Sequence, residues 1–321
     1  MNNFKIINIA DKNQWDKILS SNYHFSGQTW DYNYLQKIIS KLQTNLLYFE
    51  NDGEKYFFPY HTKIFNKSKF IFSPKGYTGF NRFLNRRAYN ELLIKLKKTG
   101  FMTAFINLSP FTNSLEQEKL PGHFKKNNSY IIDMNYSHEK IREKYKKNIS
   151  KSIAKAEKEG FTVRKYEKND FEKFNKIFLK SIKHFNLSDG NKIDVSAASF
   201  LLNEMRNRIC LVAVKDNEIY SAIFFLIGTD TCEYFINVSK NKFNYLSSFL
   251  IDKSYDYLKV IGIKKINLGG SVEEKPGIEQ YKRSFKSKCV PFNCLKIIIN
   301  EIEYKLNCKE GSKFPTFKTN E

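Results

Sequence analysis

The chain has 321 residues, with 54 Lys+Arg against 33 Asp+Glu and a formal charge of +21. That length favours two domains, each able to bury a core, and 29 Phe with 19 Tyr exclude a disordered chain away from the ends. No run of about 18 apolar residues occurs, so a membrane-spanning helix is excluded, and the N-terminus has no apolar core of signal-peptide length. The charge would attract phosphates, anionic lipid or RNA without choosing among them. Cys210, Cys232, Cys289, Cys294 and Cys308 are odd in number and include no CxxC pair. With no histidine at ligand spacing, they read as reduced thiols of a cytoplasmic protein that holds no metal.

Phe4 to Ile9 reads as a short strand, Lys12 to Leu19 as a helix, and Thr29 to Ile39 has apolar residues at helical spacing. Asn45 to Phe49 and Lys55 to Ile64 flank Asn51-Asp-Gly53, which predicts a hairpin. Phe70 to Gly79 is a strand entering a glycine-rich turn, Arg87 to Thr99 an amphipathic helix, and Phe101 to Leu108 a strand. Pro110 to Asn128 is polar and aperiodic, which predicts a long loop near a domain boundary, and Tyr130 to Met134 a short buried strand.

From Ser137 the pattern changes. Ile141, Tyr145, Ile149, Ile153 and Ala156 predict one helix ending at Gly160, its other faces rich in lysine. A strand (Phe161 to Tyr166), a helix (Asp170 to His184), a loop (Asn186 to Asp194) and a helix (Ala197 to Asn207) follow. Ile209 to Val214 and Ile219 to Ile227 form a second hairpin, before a strand from Thr231 to Val238, a helix from Leu246 to Val260 and a strand from Lys265 to Leu268. Hairpin-linked strands followed by a strand–helix–strand crossover are the order expected of an N-acyltransferase-type domain.

Three segments carry a resemblance: Tyr130 to Arg164 with its basic helix, Glu233 to Tyr257, and Asn267-Leu-Gly-Gly270 followed by Ile278-Glu-Gln-Tyr-Lys-Arg-Ser-Phe285. Together they resemble the FemAB-type (FemX-like) branch of the GNAT acyltransferase superfamily. That branch holds aminoacyl transferases that extend peptidoglycan cross-bridges and related sugar acyltransferases of envelope polysaccharide clusters. The last segment is similar to the family's glycine pair and Phe-Lys-x-x-Phe signature, with Tyr281 in place of the first Phe. The long helical arm of some cross-bridge enzymes is absent.

The resemblance implies a mixed α/β fold of two tandem GNAT-like domains, each a mostly antiparallel sheet flanked by helices. Their expected bounds are 1–135 (degenerate) and 136–308 (catalytic), followed by a polar tail, 309–321.

For function, the resemblance implies transfer of an acyl group from acyl-CoA to an amine of a nucleotide-linked sugar or envelope glycan precursor. The alternatives are an aminoacyl-tRNA donor with a peptidoglycan precursor peptide, or a non-enzymatic basic module binding RNA or an anionic membrane. The expected place is the cytoplasm, with peripheral contact at the inner face of the membrane left open.

Lys282, between Tyr281 and Phe285, is the expected catalytic residue, a cation aimed at a tetrahedral intermediate or a donor phosphate. Tyr245, Ser247 and Ser248 at a helix start, with Gly269, Gly270 and Arg283, are expected to hold the donor; one serine caps the helix. Trp30, Tyr77, Tyr281 and Phe285 are expected on the acceptor side. No general base is singled out among Glu233, Asp189 and Glu279.

Overall fold

The computed structural model describes residues 4–112, 114–183, 193–270, 276–309 and 314–316. In chain order the elements begin with β1 (Phe4–Asn8), α1 (Lys12–Ser20), α2 (Trp30–Ser40), β2 (Gln43–Asn51), β3 (Glu54–Phe65), β4 (Ser68–Phe72), α3 (Arg86–Lys97), β5 (Phe101–Asn107) and α4 (Leu115–Glu118). They continue with β6 (His123–Asp133), α5 (His138–Glu143), α6 (Lys147–Lys158), β7 (Thr162–Lys165), α7 (Phe171–Lys183), α8 (Val195–Ser199), β8 (Arg208–Lys215) and β9 (Glu218–Ile227). The last are β10 (Thr231–Ser239), α9 (Leu246–Val260), β11 (Lys265–Gly270), α10 (Pro276–Arg283), β12 (Lys288–Ile298) and α11 (Glu301–Asn307).

Local chemistry explains many of the junctions. Asp52 and Gly53 take φ of 51° and 77°, and Asp216 and Asn217 take 51° and 60°, the paired left-handed residues of a two-residue hairpin turn. Asp11, Asn85 and Asp194 each accept a backbone N–H at the start of the helix they precede.

The chain divides into two units. The first comprises residues 1–37, 41–127 and 291–321, the second 38–40 and 128–290. Both expected bounds move: the boundary falls inside β6 rather than near residue 135, and the C-terminal segment joins the first unit. It does so because β12 pairs antiparallel with β5, from Cys294 opposite Asn107 to Ile298 opposite Thr103.

In the first unit the strand order is β1-β2-β3-β4-β5-β12, antiparallel except for the parallel pair β4/β5. One face buries Ile71, Ala104, Ile106, Leu295 and Ile297 beneath Ala88, Leu92 and Leu96 of α3. On the other face Trp15 and Leu19 of α1 pack on Ile7, Leu46, Tyr48 and Phe57, while Tyr77, Phe292 and Cys294 cluster with Phe105 and Phe124 towards β5 and β12.

In the second unit the order is β6-β11-β10-β9-β8-β7, antiparallel except for β10/β11. Ile149, Ile153 and Ala156 of α6 and Phe249, Leu250 and Leu258 of α9 close a core on Tyr130, Ile132, Ile266 and Leu268.

Three other expectations are corrected. The loop predicted over Pro110 to Asn128 contains a 3-10 turn, α4 and the first half of β6. Its polar residues are held in place by backbone bonds such as Lys296 N–H to the Gly122 carbonyl (2.9 Å). The basic helix is interrupted between α5 and α6, where the Lys146 N–H donates to the Ser284 carbonyl (2.9 Å) instead of continuing the helical ladder. The helix expected over Ala197 to Asn207 is α8 followed by a π-helical turn, Phe200–Glu204. Most of the loop expected over Asn186 to Asp194, with Asp189, lies outside the described residues, as does Ser271.

Candidate active site

β10 and β11 pair over only Thr231–Glu233 and Lys265–Asn267. Beyond that rung β10 stays with β9 through an irregularity between Tyr234 and Ile236, while β11 stays with β6 through one between Asn267 and Gly270. The two parallel strands part there. Asn267 is fully buried, and its Oδ1 accepts the Gly269 N–H (2.9 Å). Its Nδ2 has no hydrogen-bond partner. A buried amide left half satisfied costs free energy unless a ligand completes it.

Past the parting, α10 brings Lys282 back over the glycine pair. Its Nζ donates to the Gly270 carbonyl (2.7 Å), and burial pushes its pKa down to about 8. No carboxylate pairs with it among the described residues. Gly269 has a φ of 84°, and a Cβ built there would stand 3.3 Å from Lys282 Nζ, so this position favours glycine on both counts. Tyr281, beside it, is raised to about 12 by burial and lies 3.4 Å from Ser248 Oγ.

α9 starts at Leu246 with Tyr245 as its N-cap and no side-chain cap; the Leu246, Ser247 and Ser248 N–H groups donate instead to the Phe243, Asn244 and Tyr245 carbonyls at 3.0, 3.2 and 3.2 Å. The expected serine cap is therefore absent. Ser247 Oγ donates instead to Asn237 Oδ1 (2.6 Å), and buried Ser248 faces Tyr281. The Tyr245 hydroxyl donates to Glu159, and Lys155 Nζ lies 4.2 Å from the centre of its ring.

Other expected residues are engaged elsewhere. Arg283 is paired with Glu279 (2.8 Å) and lies 5.2 Å over the Tyr130 ring, which makes Glu279 an exposed, ion-paired carboxylate with a lowered pKa rather than a base. Phe285 is only 2% exposed, edge-on to Tyr145 and Tyr281, so it is core and not a ligand surface. In the first unit, Trp30 donates to the Ile9 carbonyl (2.7 Å) and stacks on Tyr34, and Tyr77 is buried edge-on to Phe292. Tyr77 is thus packed in the core, whereas Trp30 stays partly exposed. Glu233 is buried at the last paired rung of β10 opposite Asn267.

Sequence reasoning missed a groove of about 560 Å³ in the first unit, lined by Lys63, Phe70, Phe72, Phe105, Lys126 and Lys296 among others. Its volume lies in the range of ~300–1,000 Å³ usual for small-ligand sites. Phe72 stacks on Phe105 (5.4 Å), Lys63 lies 4.2 Å over Phe72, and Lys296 lies 4.6 Å over Phe124. None of these three lysines has a carboxylate partner among the described residues. A lysine resting on a ring is held weakly, by roughly 0.5–1 kcal/mol at an exposed site, and can swing to an incoming phosphate. The available signal was the alternation Phe124, Lys126 and Phe70, Phe72, which puts like-facing residues on one side of a strand.

No family model matches this chain, and no curated protein matches it. Solved structures do resemble it. The crystal structure of FemX superposes with a TM-score of 0.72 at 13% identity, covering 94% of this chain and 99% of that one. The C-terminal domain of a putative lysylphosphatidylglycerol synthetase from Agrobacterium fabrum gives 0.59 at 13%, covering 92% and 94%. The L-PGS structure from Bacillus licheniformis gives 0.58 at 10%, covering 91% and 93%.

The fold is thus a mixed α/β architecture, mostly antiparallel sheets flanked by helices, that this chain shares with these solved structures. Within it, FemX is the neighbour of highest similarity among these three.

Proposed function

We propose that this protein is an acyltransferase that moves an acyl group from a CoA thioester to an amine of a nucleotide-linked sugar or envelope glycan precursor. It would work in the cytoplasm, against the inner face of the membrane. The observation that carries this reading is Lys282, half-buried beside a glycine pair at the point where β10 and β11 part.

The amine attacks the thioester carbonyl, a C–N bond forms, and the oxygen takes up negative charge. The Lys282 ammonium moves from the Gly270 carbonyl to that oxygen and stabilises it. Collapse of the intermediate breaks the C–S bond and releases CoA thiolate, while the proton lost by the amine passes to water.

Thiol release from acetyl-CoA, dependent on a UDP-linked amino sugar in an RNase-treated preparation, tests this. The exposed lysine row of α6, Lys147, Lys151, Lys155 and Lys158, favours a second reading in which the donor is an aminoacyl-tRNA and the acceptor a peptidoglycan precursor peptide. Transfer that requires charged tRNA and is abolished by RNase would decide for it. Turnover in either assay that is lost in Lys282→Ala would exclude a purely binding role for this basic protein.

A further inference from the structure

The β3–β4 hairpin exposes apolar side chains that its fold does not require to be apolar. Pairing runs to Phe65 opposite Ser68, and the two turn residues Asn66 and Lys67 take φ of 46° and 68°, a tight turn that holds the tip in one shape. Ile64 is 65% exposed and Phe65 39%. Neighbouring residues of a strand point to opposite faces, so the tip presents one apolar side chain on each side of a two-stranded ribbon. A partner docked on one face would cover one of them; a medium that surrounds the tip covers both.

The charge around the tip is of one sign. Lys63, Lys67 and Lys69 fall within seven residues, and from Lys55 to Asn90 the chain has no Asp or Glu. Lys67 and Lys69 are exposed, and no carboxylate pairs with either among the described residues. α11 makes an instructive contrast. It also exposes apolar residues, Ile302 at 76% and Leu306 at 71%, but it carries Glu301 and Glu303 and so lacks complementarity to an anionic surface.

We infer that the β3–β4 hairpin docks the protein on an anionic phospholipid surface, with Ile64 and Phe65 inserted at the headgroup–acyl boundary and Lys67 and Lys69 against the phosphates. This identifies the surface behind the membrane-face part of the proposed function and does not depend on the transferase chemistry.

Co-sedimentation with vesicles of equal parts phosphatidylcholine and phosphatidylglycerol, compared with phosphatidylcholine alone, tests it. The full chain should bind the anionic vesicles and bind the neutral ones far more weakly. The double variants Ile64→Ser/Phe65→Ser and Lys67→Glu/Lys69→Glu should each lose at least about tenfold in partitioning, with unchanged melting temperature and unchanged turnover of a soluble acceptor. Ile302→Ser/Leu306→Ser should bind like wild type. The inference falls if wild type ignores anionic vesicles, or if both hairpin variants sediment as it does. It falls equally if the hairpin variants abolish self-association in size-exclusion chromatography, or RNA binding, while vesicle binding is nil. Absence of transferase activity with vesicle binding intact would instead count against the catalytic reading alone.

Discussion

In the first unit, β4 and β5 pair from Lys69 opposite Phe101 to Phe72 opposite Phe105, with one irregularity after Lys69, and the bonding continues past the strand end. Ser73 N–H donates to the Phe105 carbonyl, and Ser73 Oγ accepts the Asn107 N–H, both at 2.9 Å. In the second unit the corresponding parallel pair separates after three rungs, leaving a buried amide half satisfied and a desolvated lysine against a glycine carbonyl. The contrast assigns different work to similar sheets: a closed pair stabilises its unit, whereas an opened pair exposes backbone and costs stability that only a ligand or transition state recovers.

The largest effect should come from Lys282. Lys282→Ala is expected to lower kcat by ~10²–10³-fold with the melting temperature retained, as for loss of a group that stabilises the oxyanion. The pH profile fixes the form in which it acts. With a pKa of about 8, Lys282 is mostly cationic below that value and mostly neutral above it, so kcat should fall as pH rises through about 8. Lys282→Arg keeps its charge to much higher pH and should carry the falling limb with it. A rate that rises through pH 8 would make Lys282 a base instead.

Gly269→Ala should come next. A left-handed φ costs a side-chain-bearing residue ~1–2 kcal/mol. The added methyl also crowds Lys282 Nζ, and misplacement of a catalytic group by about 1 Å can cost up to ~10²-fold. A kcat loss between roughly tenfold and that figure, with KM little changed, is expected from steady-state kinetics. Smaller again are Lys126→Ala and Lys296→Ala in the groove of the first unit. Each should weaken binding of a phosphate-bearing ligand such as UDP to that unit by roughly fivefold, about 1 kcal/mol, at constant kcat. A fall in kcat there would mean that the first unit shares the chemistry.

How much of this could be read from the sequence depended on how local the cause was. The hairpin turns at Asp52-Gly53 and Asp216-Asn217 were legible because the conformations they need are properties of those residues. The predicted bounds of α9, Leu246 to Val260, match the structure. The break after α5 was not legible, because the spacing Ile141, Tyr145, Ile149 runs through it unbroken and its cause, the Ser284 carbonyl, is far along the chain. Lys282 could be singled out by its motif, but its contact with Gly270, 12 residues earlier, comes from the fold. Phe285 was misplaced for the same reason: an aromatic in a signature does not announce whether it faces the ligand or the core. The groove of the first unit draws its lining from β3, β4, β5, β6 and β12, far apart in sequence, which no local pattern encodes.

The smallest expected effect on turnover is the sharpest check on the contrast between the two strand pairs. Ser73 is 1% exposed, and its hydroxyl oxygen is the acceptor for the Asn107 N–H beyond the end of β4. Ser73→Ala leaves that buried donor unpaired at a cost of ~1–3 kcal/mol, measurable as a shift in the urea midpoint without a change in m-value. If the first unit's closed pair only stabilises, kcat and KM should stay at wild-type values at temperatures below the transition. Should Ser73→Ala instead lower kcat as Gly269→Ala does, the closed pair would belong to the catalytic machinery, and the division of labour drawn from where the strands part would be wrong.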